Sequence, residues 1–243
     1  MAPYSKHFIP LESDPAVFND LIRLLGVPPS LSFFDILLLD GPHDLPGPAL
    51  ALVLVLPTTE GYERRKAAED ADDDDDRDGK DGEDGEHVVW YRQTINNACG
   101  LYAILHALSN GAARDELGTA SPMAALIDAC AALSAADQRA AILESSAELE
   151  EAYASVARQG SSAVPDSAED EVDFHYVCFV SPRGSGRLYE LDGDRRGPID
   201  RGLLILGPGE DLLAPAATDV IRGYMEREGG NVNFSLMALV RCG

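Results

Sequence analysis

The sequence predicts an α/β protein of the α+β type, and three observations carry that prediction. Residues 49–56 form an apolar run bounded by Pro48 and Pro57. The run is too short to span a bilayer and suits a strand buried on both faces. Residues 121–157 are alanine-rich and helical in composition. Residues 175–180 are rich in aromatic and β-branched side chains, and a turn-like segment separates them from a second extended run at 187–192. Strand and helix signals are thus scattered along the whole chain. At 243 residues, 45% of them apolar, the sequence suits one domain over residues 1–243 with a sizeable core.

The elements follow in order. Ser13-Asp14-Pro15 reads as a helix cap with proline near the first helical position. That helix runs to about Leu25, and Gly26 ends it. Residues 32–39 and 49–56 read as strands. Residues 88–92 are a short extended entry to a helix that begins near Cys99. The stretch 121–157 divides into two or three helices. Residues 159–173 are polar with Gly and Pro, a loop by composition. The 175–192 hairpin follows, then a strand at 199–206. A helix at 214–228 is stopped by Gly229-Gly230, and a last strand spans 232–241. No internal repeat is present.

The formal charge is −23, which excludes nucleic-acid binding through a basic surface. Much of it is local. Residues 69–86 hold twelve acids against Arg77 and Lys80, with three glycines and no apolar side chain larger than Ala. Such a segment buries too little surface to offset the entropy of ordering, so 67–87 reads as a disordered acidic insertion. It serves either solubility or binding. Cys99, Cys130, Cys178 and Cys242 are widely spaced with no CxxC pair, which argues against structural zinc and for reduced thiols. Lys6 and Glu12 interrupt the N-terminal region before any apolar signal segment forms. The expectation is a cytoplasmic chain, with nuclear entry open, that needs no metal or cofactor and meets no membrane.

The most informative stretch is QTINNACG, residues 93–100. Leu101, Ile104, Leu105 and Leu108 recur at i, i+3, i+4 and i+7, so a mostly buried helix follows Cys99 directly. Asn96 or Asn97 is the expected cap. A sulfur in the first helical turn meets orphan N–H groups and the positive end of the helix dipole, which favour a thiolate. Gln93 is placed to turn back and donate its amide beside that sulfur, an oxyanion-hole arrangement. The plainer alternative is a small cysteine that merely packs well.

A thiolate needs a base. His106 lies two turns from Cys99, roughly 10 Å away, too far to serve. His7 and His43 sit in loop-like segments, and His87 ends the acidic run. His175 opens a strand, and a six-residue loop at 181–186 would pair Val180 with Arg187. His175 would then face Asp192 directly, with Cβ atoms roughly 5 Å apart. A carboxylate there orients the imidazole and stabilises its charged form. An ordinary surface hairpin carrying a His and an Asp is the competing reading.

These four residues have one shared use, and here the chain resembles the ubiquitin C-terminal hydrolase family of cysteine proteases. The matching segments are QTINNACG around Cys99, FHYVCFV around His175 and LYELDG around Asp192. FIPLESDPAVFNDLIRLLGVPP from Phe8 and NFSLMAL near the C-terminus match as well. The similarity covers nearly the whole chain. It implies that Cys99 is the nucleophile, His175 the general base and acid, Asp192 the orienting residue and Gln93 the oxyanion donor. Asn96 stands where Ser or Gly is usual. The resemblance further implies a papain-like core, a mainly antiparallel six-stranded sheet between helices, with a knotted backbone and a crossover loop over the active site at 159–173. The implied substrate is the C-terminal glycine of ubiquitin, released by a monomeric enzyme from small adducts or short, flexible peptides through a thioester. Phe8, Ile9, Leu11 and Glu12 are the implied ubiquitin contacts, with core packing the alternative for Phe8 and Ile9. Two other functions remain open: a ubiquitin-binding module without turnover, and a papain-like protease for another ubiquitin-like modifier.

Overall fold

The computed structural model describes residues 4–72, 88–161, 165, 167–170, 172–206, 210–228 and 233–243. In chain order the described elements are β1 (Lys6–His7), α1 (Pro15–Leu24), β2 (Leu31–Asp35), β3 (Ala49–Pro57), α2 (Glu60–Asp72) and β4 (Ile95–Asn96). Next come α3 (Cys99–Ser109), α4 (Gly111–Glu116), α5 (Pro122–Ala131), α6 (Ala136–Ser145) and α7 (Ala147–Val156). The chain closes with β5 (Phe174–Val180), β6 (Arg187–Leu191), β7 (Ile199–Leu203), α8 (Pro215–Arg227) and β8 (Ser235–Arg241).

Six strands form one antiparallel sheet in the order β2-β8-β3-β5-β6-β7. The apolar run expected to be central is central. β3 pairs β8 on one side and β5 on the other, and its alternate side chains feed two different cores. Ala51, Val53 and Val55 join α1 and α3 on one face. Leu52, Leu54 and Leu56 join α8 and Tyr62 of α2 on the other. That two-sided burial is why the run is continuously apolar rather than alternating.

α1 starts as expected. The Asp14 carboxylate accepts from the Ala16 N–H at 2.7 Å, and Pro15 takes the first helical position, where no N–H is needed. Gly26, at φ 76°, closes the helix; its N–H reaches the Arg23 carbonyl and the Val27 N–H reaches Ile22. This is the left-handed termination that glycine adopts without strain. The helical stretch 121–157 resolves into α5, α6 and α7.

Several boundaries differ from the sequence reading. β2 ends at Asp35 and leaves Leu37 and Leu38 exposed; β7 ends at Leu203. α2 was not expected at all. It takes in residues 67–72, the start of the segment read as a disordered insertion, and it holds Glu69 and Asp70 against Arg195. The reason is a polar contact the composition did not reveal: buried Arg195 supplies the countercharge that orders these acids. Residues 73–87, the rest of that segment, lie outside the described residues. So do residues 162–164, 166 and 171 of the expected 159–173 loop.

Candidate active site

Cys99 is the first residue of α3, and it is buried among core side chains. The expected asparagine cap is not what starts this helix. Ala98 occupies the cap position, with no side-chain hydrogen bond. Asn97 adopts a left-handed φ of 57°, which turns its amide away from the helix and toward the 159–173 segment. The first-turn N–H groups are therefore not consumed by a capping side chain. Gly100 follows, packed against Leu11 and Phe18.

Residues 88–94 reach α3 without ladder pairing. The Asn110 side chain takes both the N–H and the carbonyl of Val89 at 2.9 Å each, imitating a neighbouring strand. The Tyr91 N–H donates to His106 Nε2 at 3.0 Å, and the His106 ring stacks on Tyr91. Burial pushes the His106 imidazole down to about 3, so it is a neutral core acceptor. The Gln93 N–H donates to the Gly193 carbonyl at 2.7 Å, which ties the segment before Cys99 to the residue after Asp192. A Cβ on Gly193 would lie 2.9 Å from that of Gln93, so this approach requires glycine. Gln93 Nε2 donates one hydrogen to the Ile95 carbonyl at 3.1 Å, and its buried Oε1 has no hydrogen-bond partner among the described residues.

His175 Nε2 and Asp192 Oδ1 lie 2.7 Å apart. The pairing arises differently from the hairpin register read in the sequence. The observed ladder joins Val180 to Tyr189, Phe179 to Glu190 and Cys178 to Leu191, a shift of two residues, and it stops before either His175 or Asp192. Gly184 and Gly186, both at positive φ, lie in the turn between the strands. A shift of two keeps every side chain on its own face, whereas a shift of one would not. His175 itself lies opposite Leu56 of β3. Cys178 belongs to the core on the α3 side, while Val177 and Phe179, which share the parity of His175, belong to the other.

Asp192 is fully enclosed, which by itself favours the neutral acid. The adjacent His175 reverses this, aided by Lys66 and the Asp194 N–H, and the carboxyl is held well below the usual carboxylate range. Tyr62 of α2 donates its hydroxyl to Asp192 Oδ2 at 3.3 Å, and the Trp90 indole donates to the Asp192 carbonyl at 2.9 Å. His175 is buried too, which opposes its charge. The field and hydrogen bond of Asp192, with a further hydrogen bond to Cys99, raise it well above the usual imidazole value. With Nε2 on Asp192, Nδ1 is the nitrogen left for the sulfur. Behind this pair, Lys66 bonds Asp194, and Arg195 lies among Glu69, Asp70 and Glu190. Tyr62, Lys66, Glu69 and Asp70 recur at helical spacing, and that stripe was the sequence signal for α2.

A cleft of about 520 Å³ opens over Cys99. Its walls include Leu11 and Glu12, Tyr176, Phe234, and Gln159, Pro165 and Val172 of the 159–173 segment. Of the expected N-terminal contacts, Leu11 and Glu12 therefore reach the cleft. Ile9 is half-buried, and its carbonyl accepts from Tyr153. Phe8 is buried in the core, its ring 4.4 Å from that of Tyr153. No cluster of potential metal ligands occurs among the described residues.

A buried first-turn sulfur beside a carboxylate-held imidazole defines a thiol-dependent hydrolase. The family model described as ubiquitin carboxyl-terminal hydrolase, family 1, matches residues 8–226. Ubiquitin carboxyl-terminal hydrolase isozyme L1 of Monodelphis domestica is 32% identical over 237 residues, covering 96% of this chain and 98% of that protein. The Homo sapiens isozyme L1 is 33% identical over 238 residues, covering 96% and 97%. Ubiquitin carboxyl-terminal hydrolase 3 of Arabidopsis thaliana is 30% identical, covering 97% and 94%. Among solved structures, the Trichinella spiralis UCH37 catalytic domain bound to ubiquitin vinyl methyl ester aligns with a TM-score of 0.73 at 22% identity, over 98% of this chain and 97% of that one. The chain belongs to the ubiquitin carboxyl-terminal hydrolase family. It is a deubiquitinating cysteine hydrolase.

Proposed function

We propose that this chain cleaves small adducts or short, flexible peptides from the C-terminal glycine of ubiquitin, and that Cys99, His175, Asp192 and Gln93 carry the reaction. The observation that carries this reading is the imidazole of His175, bonded to Asp192 at 2.7 Å on one side and partnered with Cys99 on the other. The Cys99 sulfur attacks the glycine carbonyl carbon as a thiolate. The tetrahedral oxyanion is received by the Cys99 N–H and by the second hydrogen of Gln93 Nε2, the one not given to Ile95. His175, protonated and oriented by Asp192, hands its proton to the leaving amine as the C–N bond breaks. Water then attacks the thioester, the same imidazole takes its proton, the C–S bond breaks to restore the thiolate beside the protonated imidazole, and the ubiquitin carboxyl group gives its proton to solvent as it leaves.

The cleft suits this substrate. Glu12 gives its wall an acid to meet a basic tail. Gln159, Pro165 and Val172 border the cleft from the segment that precedes His175, and this segment limits the size of the leaving group.

Hydrolysis of a fluorogenic ubiquitin C-terminal amide tests the reading, together with labelling by a covalent ubiquitin probe. Wild type turns over and is labelled, and Cys99→Ala does neither. Gln93→Ala is slowed by roughly 10²–10³-fold in kcat while keeping probe labelling, because only one oxyanion donor is lost. Labelling that persists in Cys99→Ala would overturn the assignment. Equal cleavage of amides on another ubiquitin-like modifier would make ubiquitin the wrong substrate class.

A further inference from the structure

We propose that Tyr62 of α2 is a positioning residue for the reaction, its hydroxyl fixing the rotation of the Asp192 carboxylate so that Oδ1 stays on His175. The inference rests on the reading that Asp192 orients His175. The two carboxylate oxygens are held unequally. Oδ1 meets His175 Nε2 at 2.7 Å and accepts the Asp194 N–H at 2.9 Å. Among the described residues, the one hydrogen bond to Oδ2 comes from the Tyr62 hydroxyl, at 3.3 Å. A competitor stands behind it. Arg195 Nε lies 4.0 Å from Oδ2, buried and with no hydrogen-bond partner among the described residues. The other Arg195 nitrogens are occupied, Nη1 on the Lys66 carbonyl and Asp70, Nη2 on Glu69. An enclosed carboxylate between an imidazole and an unpartnered cationic N–H has two resting places, and the neutral hydroxyl decides between them.

Tyr62 is itself fixed. Its ring is buried in the core that α8 shares with the sheet. Its N–H donates to Thr59 Oγ1 at 3.0 Å, and the Thr59 hydroxyl donates to Glu228 at 2.6 Å, which ties the start of α2 to the end of α8. One turn further on, Lys66 lies 5.8 Å over the Tyr62 ring and bonds Asp194. The ring stands 6.5 Å from the His175 imidazole. Burial, with the Asp192 charge adding to it, pushes the Tyr62 hydroxyl well above its usual range, so it stays protonated. A protonated phenol can only donate to a carboxylate, so its place sets how the carboxylate plane is turned. Without it, Oδ2 would be buried with no hydrogen bond. Rotation toward Arg195 would satisfy that oxygen and draw Oδ1 off His175. Neither Tyr62 nor Asp192 lines the cleft over Cys99, so the loss falls on proton transfer and not on ubiquitin binding.

Tyr62→Phe keeps the ring and deletes the hydroxyl. It is compared with wild type, with Asp192→Asn and with the double variant for kcat and KM on a ubiquitin aminomethylcoumarin amide, each at a temperature where thermal unfolding shows it folded. In Tyr62→Phe, kcat should fall about tenfold, the scale of one hydrogen bond to a charged group, with KM within about twofold of wild type. The double variant should be no slower than Asp192→Asn alone, because no carboxylate remains to be turned. A kcat for Tyr62→Phe within twofold of wild type, beside an impaired Asp192→Asn, would overturn the inference and leave Asp192 in its role. Losses that multiply in the double variant would assign Tyr62 to the packing of α2, which also overturns it. Full kcat in Asp192→Asn would overturn the reading of Asp192, and this inference with it.

Discussion

Asp192 illustrates how much a single residue's surroundings decide. Its carboxylate meets His175, the Tyr62 hydroxyl and the Asp194 N–H, and none of these contacts leaves it facing solvent. The pair has a defined pH window. Asp192 is lowered, so its contribution to stability is present above its unfolded value near ~3.9 and is lost as pH falls through the depressed one. His175 is raised, so its contribution is full below ~6.5 and is lost as pH rises through the elevated value. The stability difference between wild type and Asp192→Asn should therefore be largest between about pH 4 and 6.5 and shrink on the alkaline side. Thermal unfolding across that range measures it. The same variant should lose roughly 10²–10⁴-fold in kcat on the ubiquitin amide, because the imidazole is no longer held for proton transfer. A drop of less than about tenfold would remove Asp192 from the machinery.

At the scale of elements, four pieces of the chain meet around one buried acid. Glu190 of β6 receives Arg201 of β7 at 2.7 Å, and the Tyr224 hydroxyl of α8 at 2.8 Å to each oxygen. Arg195 stands 3.8 Å away and reaches back to Glu69 and Asp70 of α2. This cluster braces the turn that carries Asp192. Glu190→Leu would strand two guanidinium groups without their central acceptor. Removing one partner of a buried ion pair costs about 3–5 kcal/mol. Chemical denaturation should show a loss of that size, and a loss below about 1 kcal/mol would mean that the cluster adds little to the fold. α2 itself carries charge around most of its surface, and its buried stripe of Tyr62 and Lys66 is narrow. Hydrophobic periodicity therefore could not announce it, whereas α1, α3 and α8 each present a broad apolar face.

Across the whole molecule the dominant quantity is charge. Residues 73–87 carry a net seven negative charges of the total −23, while Glu69 and Asp70 are already engaged by Arg195. A field of that size acts over about a Debye length, roughly 8–10 Å at ordinary ionic strength. Deleting 73–87 should lower kcat/KM for a ubiquitin amide at low salt and leave it unchanged at high salt, with kcat the same throughout. Equal kcat/KM at both salt concentrations would remove any steering by this segment. Among the described residues no helix is long and apolar enough to cross a membrane.

The sequence by itself determined the chemistry on offer: a cysteine at a helix start, a histidine on a strand, an acid after the next strand and a glutamine upstream. It also determined that β3 would be central, because only two-sided burial selects eight apolar residues in a row. Those features are local, and they are read from spacing and composition alone. Tertiary structure decided what depends on partners distant in the chain. The hairpin register is set two residues from the one a six-residue loop would give, and parity kept Asp192 usable. The cap at Cys99 was replaced because Asn97 found two carbonyls more than seventy residues away. α2 formed around Tyr62 and Lys66 because Asp192, Asp194 and Arg195 were there to receive them. Each of these outcomes turned on a hydrogen bond or countercharge that exists only once the chain has closed on itself.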